Sequence, residues 1–382
     1  MKTYRKLYEN MTDLQEIKEA MKEAAKHKTK RMDVQRVLAD IDKYALILQK
    51  IVMEESFVQR KTKECIIVDG SNKKTRTIYK PKYFPDLCMQ HLVVRQLERT
   101  VLKGQYFYSH GSVKGKGLKL SIKTIAKWLN KDNRNTKYCL KLDVRHFYEN
   151  ISHDALFKRL EKYIKDTRFL NLIKTIVNPY KGLPLGFYTS PALANFLMTE
   201  IDNLIKHELK AKYYLRYLDD MFIFGANKKK LHKTYWILRD RLRNVGLWFK
   251  KTWQVFKLCK LGRNGKGRVL QALGFRFVFY GKVRIILKKR CLYVLTRCAR
   301  RFKLKKLERK RITTHEACEM MSRFGVLKIA DVYGFYEKYF KGYVSKRTLR
   351  KIISKKGSAL CKRELLNQAS IRSFLDTQAI SA

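Results

Sequence analysis

Three acids in this chain stand where acids are costly. Asp219 and Asp220 lie side by side between Tyr213-Tyr-Leu-Arg-Tyr-Leu and Met-Phe-Ile-Phe-Gly225, two runs that read as strands. Asp143 closes a third apolar run, Tyr138-Cys-Leu-Lys-Leu-Asp143. The chain carries 86 Lys and Arg against 33 Asp and Glu, so bare carboxylates among apolar residues call for a partner. A charge taken out of water is expensive unless it is paired or bound to a metal. A hairpin with carboxylates at its tip is a rigid holder for hard divalent cations, which prefer oxygen ligands. The plainer alternative for the Asp pair is a surface turn, since Asp favours turns.

Composition narrows the partners. A formal net charge of +53 repels itself in a compact monomer and calls for a polyanion. Nucleic acid fits, with an acidic membrane surface as rival. No apolar run approaches the length of a membrane span, and no apolar signal core follows Met1-Lys-Thr-Tyr-Arg-Lys6. Eight scattered cysteines without a C-x-x-C pair argue against zinc fingers and for reduced thiols in a cytoplasmic protein. Hydrophobic content of 45% suffices for a sizeable core.

The elements that must position the acids follow in order. Helical spacing runs over residues 8–55, with Thr12 and Gln15 as a capping box and a basic break at His27–Arg31. Two strands follow around Asp69-Gly70-Ser-Asn-Lys, the second alternating basic and apolar residues up to Lys80. Ser109-His-Gly-Ser-Val-Lys-Gly-Lys-Gly117 can cradle a phosphate backbone, though it lacks the P-loop spacing. After Asp143 comes the aromatic pair Phe147-Tyr148. Gly182-Leu-Pro-Leu-Gly186-Phe-Tyr-Thr-Ser190-Pro191 then leads into an apolar helix that Ser190 can cap. Residues 288–356 are strongly basic and helical by spacing, and the tail beyond Ser358 is polar.

The ordered set resembles motifs A, B and C of the reverse transcriptase palm: an acid followed by two aromatics, L-P-L-G-x-x-T-S, then Y-x-D-D. Lys74–Arg99 is similar to the fingers motifs, Leu273-Gly-Phe275 to the primer-grip turn, and Phe324-Gly-Val-Leu-Lys328 to a small bacterial or phage thumb. The resemblance implies an α+β right-hand polymerase: fingers, a palm whose antiparallel sheet carries Y-x-D-D, and a helical thumb. Expected boundaries are an N-terminal helical extension over 1–60, fingers over 61–137, and a palm over 138–280 with fingers-associated helices at 154–180. A basic thumb over 281–356 and a tail over 357–382 complete the chain. Among prokaryotic enzymes, those of diversity-generating retroelements and antiviral defence are closest in flavour. The V-T-G thumb motif of retron enzymes is not evident, and 382 residues leave little room for an intron maturase domain.

By the resemblance, Asp143 and Asp219 bridge two Mg²⁺ ions (Mn²⁺ as substitute) about 3.5–4 Å apart, the Val144 carbonyl completes one shell, and Asp220 supports the pair. Tyr148 takes the steric-gate position against a 2′-hydroxyl; its alternative is packing beside Phe147. Arg76 and Lys80 would hold the dNTP triphosphate, with Lys74 a weaker candidate and strand-surface solvation as the alternative. Leu185 and Gly186 would line the nucleotide site, and the aliphatic Leu185 is associated with relaxed fidelity. Partners are an RNA template, cDNA product and dNTPs, with an accessory protein or a second copy left open, and no membrane. His146 and His153 are expected to pack or cap, and Asp202 to be a helix-surface acid. Two other classes compete: an RNA-binding scaffold with a degenerate palm, and an RNA-directed RNA polymerase.

Overall fold

The computed structural model describes residues 2–69, 74–260, 266–343 and 345–354. The N-terminal helical spacing forms α1 (Leu14–Ala25), α2 (Met32–Ala39) and α3 (Ile41–Met53). Asp13, rather than Thr12, caps α1: its carboxylate accepts from the N–H groups of Gln15 and Glu16 at 2.7 and 3.3 Å. The Thr12 hydroxyl instead donates to the Glu9 carbonyl. A charged oxygen is the better acceptor at the positive end of a helix. Next, β1 (Lys63–Asp69) and β2 (Lys74–Lys80) pair antiparallel, Lys63 opposite Lys80 and Asp69 opposite Lys74. The turn expected between them, at 70–73, lies outside the described residues.

The helices α4 (Cys88–Arg99) and α5 (Leu118–Lys131) precede β3 (Tyr138–Asp143), α6 (His153–Tyr163), α7 (Thr167–Val177) and α8 (Thr189–Asn203). After these come β4 (Tyr213–Tyr217), β5 (Asp220–Gly225), α9 (Lys228–Arg243) and β6 (Gln254–Lys257). A four-stranded antiparallel sheet has the order β4-β5-β3-β6, so the strand ending on Asp143 is internal. Its two faces differ. A Cβ built on Gly225 would point at Leu231 of α9, 3.5 Å away. Side chains alternate along a strand, so Met221 and Ile223 share that helix-covered face and are buried. Across the ladder, Leu140 and Leu142 join them. Asp220 and Asp143 share the opposite face.

β7 (Leu270–Ala272), β8 (Phe275–Tyr280) and β9 (Lys282–Leu287) make a separate three-stranded sheet. Its first hairpin turns on Leu273 (φ 50°) and Gly274 (φ 90°), the positive-φ pair a two-residue hairpin loop requires. α10 (Lys289–Leu307), α11 (Thr314–Leu327) and α12 (Tyr333–Tyr339) follow.

Two compact units divide the chain: residues 1–24 with 41–286, and 25–40 with 287–382. In the second, Leu295, Phe302, Met320 and Phe324 are buried. Among its described residues, acids pair with its own cations, as in Arg301–Glu319 (2.9 Å) and Lys305–Glu316 (2.8 Å). The polar tail beyond Ser358 lies outside the described residues. The seven described cysteines are free thiols. Among the described residues, no helix is long and apolar enough to cross a membrane.

Candidate active site

The ladder between β4 and β5 ends with Tyr217 opposite Asp220, which leaves Leu218 and Asp219 as a two-residue turn. Leu218 takes φ 55°, a strained choice for a γ-branched residue. Its surroundings impose it. A Cβ on Gly111 would stand 2.6 Å from Leu218 Cγ, so only glycine lets that backbone approach the turn. Residues 108–110 run beside β4: the His110 N–H donates to the Arg216 carbonyl (2.9 Å), and the Arg216 N–H to that of Tyr108 (3.1 Å). Arg216 in turn donates from Nη1 to the Leu218 carbonyl at 3.3 Å.

This corrects one expectation. Ser109 and His110 are fully buried, and the lysines of the loop are committed internally, Lys114 to Glu98 and Lys116 to the Phe107 carbonyl. The 109–117 stretch braces the hairpin instead of cradling phosphate.

Asp143 lies directly opposite Asp220 in the β3–β5 register. Opposed residues of an antiparallel pair project from one face with Cβ atoms about 4.5–5.5 Å apart. The Val144 N–H donates to the Asp219 carbonyl (3.3 Å), which ties the third acid to the same strand end. Val144 bridges Phe249, flanked by bonds from Lys250 N–H to Asp143 O (2.8 Å) and from Arg145 N–H to Trp248 O (2.7 Å). Strand alternation therefore turns the Val144 carbonyl away from Phe249, to the side of the Asp219 turn.

Charge at this point is frustrated. Burial and then the neighbouring Asp143 raise the Asp219 carboxyl, while Lys250 and Arg76 pull it back. Burial, Asp219 and Asp143 push Asp220 up to about 6. Asp143 Oδ2 accepts from the Lys250 ammonium at 2.6 Å, whereas its buried Oδ1 has no hydrogen-bond partner. Among the described residues, no three His, Cys, Asp or Glu side chains close into a finished metal cage. An orphaned carboxylate oxygen, two acids raised by burial and mutual repulsion, and an all-oxygen donor set nevertheless fit hard divalent cations.

The loop before α8 is clamped between two backbones. A Cβ on Gly182 would lie 2.3 Å from the Tyr148 carbonyl oxygen, and one on Gly186 (φ 106°) 2.3 Å from that of Tyr79. The Leu183 N–H donates to Tyr148 O (2.8 Å) and the Tyr79 N–H to Leu185 O (2.7 Å). Leu185 and Gly186 are thereby joined to β2, and the segment after Asp143 to the same loop. Ser190 does not cap α8, contrary to expectation: its hydroxyl donates to the Pro184 carbonyl at 2.7 Å and tightens the loop.

Tyr148 is half-buried, edge-on to the buried Phe147 at 5.4 Å. Burial and the nearby Asp219 push its hydroxyl above the ordinary range. It thus packs on Phe147 and also lies within the field of Asp219. Arg76 is exposed yet acts on Asp219. Lys80 is exposed at the strand end and is not among the main charges acting on Asp219 or Asp220. The side chain of Lys74 lies outside the described residues.

His153 meets the Gly182 carbonyl at 2.7 Å and His146 meets Glu149 at 2.9 Å, which matches their structural reading. Asp202 does not match. It is fully buried, paired with Arg216 and accepting from the Tyr214 hydroxyl at 2.7 Å. The sequence reading also missed Lys250, whose signal is a lysine directly after the apolar run Leu247-Trp-Phe249.

Residues 71–276, more than half of the chain, match the family described as reverse transcriptase (RNA-dependent DNA polymerase). A retron Ec73 reverse transcriptase of Escherichia coli is 28% identical over 239 residues, covering 56% of this chain and 72% of that enzyme. A putative COX1/OXI3 intron 1 protein of Saccharomyces cerevisiae is 26% identical over 161 residues, 37% of this chain but 17% of the yeast protein. Among solved structures, an apo telomerase from Candida tropicalis, truncated from its C-terminal domain, superposes with a TM-score of 0.46 at 14% identity. That match covers 61% of this chain and 56% of the telomerase. With an acid-tipped hairpin opposite a third strand-end acid, and the family match across both, the chain belongs to the reverse transcriptases, the RNA-dependent DNA polymerases.

Proposed function

We propose that this chain copies an RNA template into cDNA by nucleotidyl transfer at Asp143, Asp219 and Asp220. The observation that carries the reading is the Asp143–Asp220 register with Asp219 on the adjoining turn. Asp143, Asp219 and the Val144 carbonyl would hold divalent ions, and Asp220 would support them. A pair of divalent ions held there, Mg²⁺ with Mn²⁺ as substitute, would lower the pKa of the primer 3′-hydroxyl and neutralise the leaving group. The 3′-hydroxyl gives up its proton to solvent as its oxygen bonds to the α-phosphorus, the α–β phosphoanhydride bond breaks, and pyrophosphate leaves with that bond's electron pair.

The remaining residues position the substrate. Lys250 keeps Asp143 oriented through one oxygen and leaves the other available. The Tyr148 ring stands against the sugar and rejects a 2′-hydroxyl. Arg76, with Lys80 at the strand end, would meet the triphosphate, while Leu185 and Gly186 form a wall that β2 fixes. Fingers, palm and thumb would take the boundaries expected from the sequence. The basic helices of 287–354 would follow the template–primer backbone, where each phosphate neutralised adds salt-sensitive affinity. The +53 charge supports a bound structured RNA, and the family resemblance suggests antiviral defence or retroelement diversification in a bacterial or phage-infected cytoplasm as the setting.

The test is extension of a primed RNA template with dNTPs and Mg²⁺. Wild type should extend and Asp219→Ala should not. Equal extension by both would refute the site, and a preference for ribonucleotides would favour an RNA-directed RNA polymerase.

A further inference from the structure

α9 carries seven Lys or Arg and one acid, Asp240. Leu231, Tyr235, Leu238 and Leu242 recur at helical spacing and are buried, so the opposite row looks outward. That row runs from Lys229 through Lys233, Trp236 and Asp240 to Arg243, all exposed. A basic helix face alone is usually just solvated. The aromatic residue makes the difference, because Trp236 leaves 48% of its surface to water.

The Trp236 ring is held ready. Tyr235 stacks on Trp253 with centroids 3.6 Å apart and planes 15° apart. Trp236 meets both edge-on, at 5.0 and 6.4 Å. The Arg239 guanidinium lies 4.3 Å over the Trp236 ring and is itself paired with Asp240. A ring already fixed by its neighbours loses little entropy when a planar ligand stacks on it.

We propose that this outer face of α9 is a second nucleic-acid surface, a stacking platform for single-stranded RNA. Exposed aromatics set among cations suit unpaired bases on a phosphate backbone. Bases in a duplex are stacked on one another and offer no free face to Trp236. The surface is separate from the catalytic one. Leu231 sets α9 against the Met221, Ile223 and Gly225 face, and Asp143 and Asp220 project from the other side of the sheet. An RNA segment held here would be a tether or a distal part of the template, not the primer end.

The experiment uses the full chain preloaded with a saturating short template–primer. A fluorescein-labelled 12-nucleotide oligouridylate is then titrated at fixed salt and followed by anisotropy. Trp236→Ala should weaken binding about tenfold, since stacking contributes on that order per base, and Trp236→Phe should retain most of it. Lys229→Ala with Lys233→Ala should flatten the dependence of log affinity on log salt by about 1.4, as expected for two single-strand phosphate contacts. Extension of the short template–primer should be unchanged in all variants, which reports an intact fold and tests the catalytic reading separately. Oligouridylate affinity of Trp236→Ala within twofold of wild type would overturn the proposal and point to a protein partner. A matching loss of extension would overturn the separation of the two surfaces.

Discussion

Arg216 and Asp202 face each other with both side chains wholly out of water, the arginine Nε and Nη2 at 2.8 and 2.7 Å from the two carboxylate oxygens. The same guanidinium donates to Asn195 at 2.9 Å and to the Leu218 carbonyl of the Leu218–Asp219 turn. A buried ion pair here joins α8 to the hairpin that carries Asp219.

Removing one partner leaves a buried charge alone, which costs about 3–5 kcal/mol. Asp202→Ala should lower the unfolding free energy by that order in a urea titration. The double change Arg216→Met, Asp202→Leu should recover much of it, because apolar residues of similar volume need no counter-charge. A loss below about 1 kcal/mol for Asp202→Ala would contradict the pair's role.

Gly186 gives a second prediction, since both its φ of 106° and the Tyr79 carbonyl exclude a side chain. Gly186→Ala should cost about 1–3 kcal/mol and raise the KM for dNTP by displacing the loop from β2. Gly104 has open space around its missing Cβ, so Gly104→Ala is the matched control and should leave both quantities unchanged.

For Tyr148, the ring and not the hydroxyl should discriminate between sugars. Tyr148→Ala is expected to reduce the ratio of kcat/KM for dNTP over rNTP by about tenfold to a hundredfold, the scale of a steric contact. Tyr148→Phe should keep the ratio. An unchanged ratio in Tyr148→Ala would assign the residue to packing against Phe147 alone.

His110 sets a pH dependence of stability. Burial, followed by the charge of Lys116, lowers its pKa from 6.5 to about 4. Its Nδ1 meets Ser121 Oγ at 3.1 Å, and its buried Nε2 has no partner. The unfolded chain therefore takes up this proton first as pH falls. The contribution is complete above about pH 6.5 and is lost progressively towards pH 4. Urea midpoints measured at pH 7 and 4.5 should converge more in His110→Gln than in wild type. Equal pH sensitivity in the two proteins would exclude His110 as the source.

The acid cluster was legible because three carboxylates amid so many lysines have few inexpensive explanations. The pairing of Asp143 with Asp220 was not, because which strand lies beside the hairpin is decided by packing between residues 77 apart in the chain. What escaped was set by distant partners. Lys250 reads as a surface lysine until the ladder brings it to Asp143, 107 residues away. Asp202 was misread because α8 is buried nearly all round, which leaves no polar stripe to tell a solvated acid from a paired one. The 109–117 loop looked like a phosphate cradle by composition. Its glycine at 111 answers instead to the close approach of Leu218. Local caps went to the better-placed acceptor, as with Asp13 over Thr12.

The most direct measurement is Mn²⁺ binding followed by electron paramagnetic resonance, on the full chain with a primed RNA template and a non-hydrolysable dNTP. Wild type should take up ions with micromolar to millimolar affinity, and Asp143→Asn and Asp219→Asn should each lose most of that uptake while keeping the wild-type unfolding curve. Undiminished Mn²⁺ uptake in both variants would contradict a metal site built from Asp143, Asp219 and Asp220.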